Sequence, residues 1–364
     1  MTVGRIVRRT AGVFALAVLA FFALAPTGHY LLRAAWAEAA ILARARSIDA
    51  LVRDSTTDPA TRAKLELVLA ARAFASDSVR LNAKRGFRTY SHIEHDTLVV
   101  VLSAAYRDRL RYRTWWFPIV GSVPYKGYFD VRDARKAAAE LSRDGFDAYL
   151  RPASAFSTLG YLEDPVLSTT IDEDSVELVN TVIHELTHST FYASGQAVFN
   201  ESFANFVGTR GAEWFYAARG DSAKVRIARD DWARQKLLGR FWSAVYNSVD
   251  SAFKAHPQSK EARLAAREIV FRGARERFAR EIEPALPGYV PGKPVVFHLD
   301  NAVLMSRRMY RTGLDDFDAI YEREGEKLPA AIARIIAIAK SRPKDPYAAM
   351  RDSVGSGSAE PAAQ

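Results

Sequence analysis

The chain has no cysteine. That removes disulfides, thiolate metal ligands, a cysteine nucleophile and a lipoprotein-type anchor in one step. It leaves the compartment open, because a disulfide-free domain works on either side of a membrane. Histidine is scarce, 7 in 364 residues, so a histidine pair at a regular spacing carries weight. Basic–aromatic nucleic-acid motifs are missing, although the net charge is +9. The arginines lie along stretches such as "EARLAAREIVFRGARERFAR", interleaved with glutamates as on a solvated helix face. Nucleic acid is therefore not expected as a partner. No internal repeat is visible. The apolar run Ala11–Ala25 falls short of the roughly 20 residues that a membrane-spanning helix needs.

What is present starts with a chain 49% hydrophobic and 26% charged, enough to build a sizeable core. Arg5, Arg8 and Arg9 precede the apolar run, the order of a signal sequence. Cleavage after "ALA" would put Pro26 just past the cut, which is unfavourable, and "HYLLRAAWAEAAIL" continues in a helical pattern that extends the span. Residues 1–29 are thus read as an uncleaved signal anchor. Arginines ahead of the span place the body outside the cytoplasm, on the periplasmic side of an inner membrane.

Helical patterning runs from Tyr30 to about Val79, with Asp58-Pro59 as a helix start. "HDTLVVVLSAAY" is a strand. "TWWFPIVGSVPYKGYFD" is a set of short strands with a loop, and Asp133–Asp144 is an amphipathic helix ended by Gly145. A strand or two follows in "FDAYLRPASAFSTLGYLEDPVLST". Beyond Asp174 the pattern is helical: Ser175–Tyr192, Glu201–Arg219, Ser222–Lys254, Ser259–Ile282, Asn301–Arg311 and Leu328–Lys340. Residues 351–364, small and polar, are read as a disordered tail. Strands first and helices after make an α+β domain over residues 30–350, split into a helical start with an α/β part (30–173) and a helical part (174–350).

The chemistry concentrates in "NTVIHELTHSTFYASGQAVFNESFANFVG". His184 and His188 are four apart, so a helix brings both imidazoles to one face, where they can share one ion. Glu185, beside His184, is placed to take a proton from water that a zinc ion polarises. Val182, Ile183 and Leu186 are apolar, as a buried helix requires. Glu201 in "NES" supplies a third ligand after a return loop in which Gly195 is free to adopt positive φ; read alone, it would be an ordinary first-turn glutamate. Asn205, four residues on, is placed to receive the ring N–H of a ligand histidine. The oxyanion donor is sought in "VFHLDNAVLMSRRMY", which offers His298, Arg307, Arg308 and Tyr310. His29, His92, His95 and His256 have no partner pattern. An extended peptide needs a strand edge, and Ser154–Tyr161, with Ser157, Thr158, Leu159 and Gly160 at its centre, is the natural one. Glu163 or Asp164 would hold a free amine, although an acidic pair before Pro165 also makes a plain turn.

At these residues the chain resembles a known group, the bacterial "putative aminopeptidase" family of gluzincin-type zinc metallopeptidases. "TWWFPIVGSVPYKGYFD", "SAFSTLGYLEDPVLST", "VIHELTHSTFYASGQAVFNESFANFVG" and "DNAVLMSRRMY" resemble its blocks in the same order, from about Tyr30 to about Tyr321. "NESFA" also resembles the "NEGFA" of better-known zinc aminopeptidases, whose spacing to the histidines is longer. The resemblance implies a zincin-like domain with a small mixed sheet, an HExxH helix and a largely helical C-terminal lobe. It implies one zinc ion on His184, His188 and Glu201, Glu185 as general base, and Tyr310 as a catalytic tyrosine. Family members often carry cysteines where Trp116 and Ser122 stand here. The expected activity is zinc-dependent hydrolysis of peptide or protein substrates, as an aminopeptidase. A zinc endopeptidase and an inactive zinc-binding scaffold at the membrane are the rival readings.

Overall fold

Asp58 accepts a hydrogen bond from Thr61 N at 2.8 Å, and Pro59 opens the helix behind it, so the start read from the sequence is a true N-cap. The computed structural model describes residues 10, 12, 13, 16, 20–24, 26–83, 86–93, 99–117, 121–153, 165–287, 289–291 and 297–355. The N-terminal arginines and much of the apolar run lie outside this set. Among the described residues no helix is long and apolar enough to cross a membrane.

In chain order the elements are α1 (Pro26–Ala43), β1 (Arg46–Ser47), α2 (Ile48–Arg53), α3 (Pro59–Asp77), β2 (Thr89–Ser91), β3 (Val99–Tyr106), β4 (Trp115–Phe117), β5 (Gly121–Val123), β6 (Tyr125–Tyr128), α4 (Val131–Arg143), β7 (Phe146–Ala153), β8 (Val166–Leu167) and α5 (Ser168–Ile171). The helical part follows: α6 (Ser175–Thr190), α7 (Ala197–Ala217), α8 (Ser222–Ala255), α9 (Lys260–Arg277), α10 (Asn301–Met309), α11 (Leu314–Arg323), α12 (Leu328–Ser341) and α13 (Pro346–Val354). The fold is α+β, mostly helical, with small sheets. One sheet has the order β1-β2-β8 and is mixed; a second, β6-β3-β7, is antiparallel; β4 and β5 form a hairpin. In that hairpin Trp116 stands opposite Ser122.

α7 is the organising helix. Phe199, Phe203 and Phe206 recur on one face and pack with Phe317 of α11. All four are essentially inaccessible to solvent, and each buried side chain of this size contributes about 1.5–3 kcal/mol. The opposite face carries Glu201, Asn205 and Gly208, half a turn round from the phenylalanines. Hydrophobic burial thus fixes the rotation of α7 and, with it, the direction in which Glu201 points. α6 lies between α7 and α3 and gives its apolar face, Val179, Val182, Ile183 and Leu186, to the same core. A second core cluster joins α8, α9 and α10 through Phe241, Trp242, Phe271 and Leu304.

Two expectations are corrected. The chain does not fall into a tail at residue 351. Asp345 caps α13 by accepting from Ala348 N at 2.9 Å, Arg323 binds the carbonyls of Ser353 and Val354, and Gly355 ends the helix at φ 69°. Residues 356–364 lie outside the described set. α11, for which no helix is expected from the sequence, begins at Gly313 (φ 64°) without a side-chain cap, so the usual start signal is missing. Its apolar positions Leu314, Phe317, Ile320 and Tyr321 nonetheless have helical spacing.

Candidate metal centre

The geometry grows from two antiparallel helices and the loop between them. Asp174 caps α6 by accepting from Val176 N and Glu177 N. With the apolar face buried, His184 and Glu185 on the other face stay partly exposed, and His188 is buried beside them. The imidazole rings of His184 and His188 lie 5.0 Å apart at 80°. The return loop turns at Gly195, whose φ of 75° suits glycine. Buried Asn200 then clamps the loop: its Oδ1 accepts from Ala193 N and its Nδ2 donates to Ala193 O, both at 2.8 Å. α7 begins at Ala197, earlier than read from the sequence, so Glu201 sits in its second turn and is not a first-turn dipole residue.

Glu201 Oε2 is 3.6 Å from His184 Nε2 and 3.8 Å from His188 Nε2. These distances are too long for hydrogen bonds. They suit three ligands around a shared ion: tetrahedral zinc with bonds of about 2.0–2.1 Å holds its donor atoms roughly 3.4 Å apart. All the ligand atoms of His184, His188 and Glu201 lie within 4.8 Å of one another. The donor set therefore fits a zinc ion. Burial would raise the Glu201 carboxyl, but the two imidazoles outweigh it and hold the group well below the usual carboxylate range, so Glu201 is anionic. Burial pushes His188 down, and the Glu201 carboxylate more than reverses this.

The hairpin needs its glycines. A Cβ on Gly208 would lie 2.2 Å from Asn180 Oδ1, 2.9 Å from Asn180 O and 3.1 Å from His184 Cβ. One on Gly211 would meet Ile183 at 2.8 Å. Both face α6, so the separation of the two ligand-bearing helices depends on missing side chains. "VGTRGA" was the sequence signal for this contact, a pair of glycines three apart.

Tyr310 is the C-cap residue of α10 and lies beside the metal centre, its ring 6.4 Å from that of His184. Burial, reinforced by the Glu201 anion, raises its phenol well above the ordinary value, so it stays protonated. Two residues of the α7 motif hold its backbone. Asn205 Nδ2 donates to Tyr310 O at 2.8 Å; Ser202 Oγ donates to Met309 O at 3.0 Å and accepts from Thr312 N at 3.1 Å. Asn205, expected to receive the ring N–H of a ligand histidine, bonds the Tyr310 carbonyl through Nδ2, and among the described residues His188 Nδ1 is buried without a hydrogen-bond partner. The i+4 spacing placed Asn205 on the right face, but α10 packs there.

The other oxyanion candidates stand elsewhere. His298 is exposed and meets Asp300 at 2.9 Å. It precedes α10, whose 9 residues put Tyr310 about 14 Å away along the axis. Arg307 is exposed, and Arg308 packs over the Tyr246 ring at 3.8 Å. Ser157, Thr158, Leu159, Gly160, Glu163 and Asp164 lie outside the described residues. Among the described residues β7, just before them, is an edge strand of its sheet. It brings in Arg151, which donates to Tyr310 Oη at 2.7 Å; nothing in the local sequence of a strand 159 residues away signals that contact. Tyr125 of β6 is partly buried within electrostatic reach of this site, its phenol raised by burial and then by the Glu201 charge.

No curated protein and no solved structure matches the chain. A family model described as "Putative aminopeptidase" matches residues 29–350, from the start of α1 into α13, and the chain belongs to that family.

Proposed function

We propose that the protein is a zinc-dependent metallopeptidase of the gluzincin type, with a zincin-like domain, acting as an aminopeptidase. The observation that carries this reading is the convergence of His184, His188 and Glu201 on one ion-sized space, with Glu185 on the same helix and Tyr310 beside it. Zinc in that set would act as a Lewis acid toward water and toward the scissile carbonyl. Glu185, partly exposed, takes a proton from the attacking water and passes it to the leaving nitrogen. Tyr310 donates its O–H to the carbonyl oxygen as negative charge develops there. An extended peptide would take main-chain hydrogen bonds from the Ser154–Tyr161 segment, and Glu163 would receive the free amine. The extracytoplasmic, membrane-anchored location rests on Arg5, Arg8, Arg9 and the apolar run alone.

The test is Glu185→Gln in the full-length protein. It should keep its zinc and lose turnover by about 10²–10⁴-fold, the range for a general base. Peptide hydrolysis at the parental rate would refute the mechanism. Comparing one peptide with its N-acetylated form then separates the readings: an aminopeptidase cleaves only the free amine, and equal cleavage of both means an endopeptidase.

A further inference from the structure

Tyr310 is held from two sides, and the two sides do different things. Asn205 and Ser202 on α7 fix its backbone and that of its neighbours. Arg151 on β7 fixes its oxygen, with the guanidinium 2.7 Å from Oη and 5.3 Å from the ring centroid. The ladder holds the strand position: Arg151 stands opposite Val101, the third of eight β3–β7 pairs counted from Ala153. Arginine has only donors. The phenol oxygen must therefore accept this bond, and the phenol's single proton is left for another partner. Among the described residues no acceptor takes it. A phenol whose oxygen accepts from a cation is also a more polarised donor.

We propose that Arg151 is a positioning residue that makes Tyr310 a donor to the scissile carbonyl oxygen, by filling the phenol's acceptor side and leaving only its O–H to face the substrate. No proton is transferred in this step; the O–H hydrogen bond shortens as charge collects on the carbonyl oxygen, and it is released when the carbonyl re-forms. The assignment rests on the peptidase reading above.

The experiment is a double-mutant cycle in the zinc-loaded full-length protein: Arg151→Met, Tyr310→Phe and both together, with Arg151→Lys as the conservative variant. Two readouts are taken, turnover of a peptide cleaved by the parent and calorimetric affinity for a phosphinic dipeptide, a tetrahedral mimic. Tyr310→Phe should lower kcat by about 10²-fold, the lower end for one oxyanion donor. Arg151→Met should lower kcat by about tenfold with KM little changed, a coupling typical of contacting residues. The double variant should be no worse than Tyr310→Phe, Arg151→Lys should recover part of the loss, and affinity for the phosphinic dipeptide should follow the same non-additive pattern. Additive losses would overturn the assignment. So would an Arg151→Met variant that keeps kcat but raises KM only for peptides with a free C-terminal carboxylate, since Arg151 would then be a substrate clamp. A parent that neither cleaves peptides nor binds the phosphinic dipeptide overturns the peptidase reading and this assignment together; an active parent with additive variants overturns this assignment alone.

Discussion

α7 carries two buried polar clusters about three turns apart, and they are built on opposite principles. In the distal one both carboxylates are fully paired, and the atom left without a partner among the described residues is a donor, Arg210 Nε. Asp318 accepts from Arg210 at 2.7 Å, from Trp232 Nε1 at 2.9 Å and from Lys236 at 2.6 Å; Glu213 accepts from Arg210 at 2.8 Å and Arg229 at 2.6 Å. Both carboxylates have charged donors on both oxygens, which is the condition for burying charge without loss. In the proximal cluster Glu201 faces two imidazole nitrogens at 3.6 and 3.8 Å, and His188 Nδ1 is buried with no hydrogen-bond partner among the described residues. The chain supplies cations for Asp318 and Glu213, whereas at Glu201 it supplies further ligands. A cluster of paired carboxylates is an element of the fold; one whose lone pairs converge on a common point is a set that could hold a metal ion.

The sharpest way to break this contrast is to disrupt the paired cluster. Asp318→Ala leaves Lys236 and Arg210 short of a partner and should cost about 3–5 kcal/mol in urea denaturation, equally with and without zinc. The Asp318 carboxyl is held below its ordinary value: burial would raise it, but Lys236, Arg210 and Trp232 outweigh that. Its contribution is therefore present above the unfolded pKa of about 3.9 and lost as pH falls through the lower folded value. Asp318→Asn should flatten this acid limb. A zinc-dependent cost would mean that the two clusters are not independent.

A smaller effect tests the spacing that separates ligand from ligand. Gly208→Ala drives a methyl into Asn180 and toward His184 Cβ and should cost about 1–3 kcal/mol, as overpacking does. Unlike Asp318→Ala, it should also weaken zinc binding, because the hairpin that sets the ligand distances must open. Isothermal titration with zinc on the purified variant checks this. Unchanged affinity would show that the helix separation does not set the site.

These clusters also mark how far the sequence could be read. The proximal one was legible because its ligands are local: His184 and His188 share a helix face by spacing, and Glu201 follows after one short loop. The distal one was not, since Arg210, Lys236 and Asp318 come from three helices and surface-type spacing hides them among the solvated charges. Tyr310 was found through its motif. Its partner Arg151 was not, because a lone arginine in a strand has no pattern and the contact exists only once β7 lies beside the end of α10. The long helices were placed to within a few residues by their apolar period. The strands β1 and β2 run to only 2 and 3 residues, too few for an alternation to register. Asn205 shows the intermediate case: helical spacing gave its face, and tertiary packing gave its partner.

The measurement that bears most directly on the central claim is zinc stoichiometry and linked stability in the parent, His188→Ala and Glu201→Ala. The parent should bind one zinc ion per chain and gain about 2.7 kcal/mol at a free-zinc concentration of 100 times Kd, while both variants should lose the ion and the gain. A parent that takes up no zinc, or a Glu201→Ala protein that binds it as the parent does, would contradict the account.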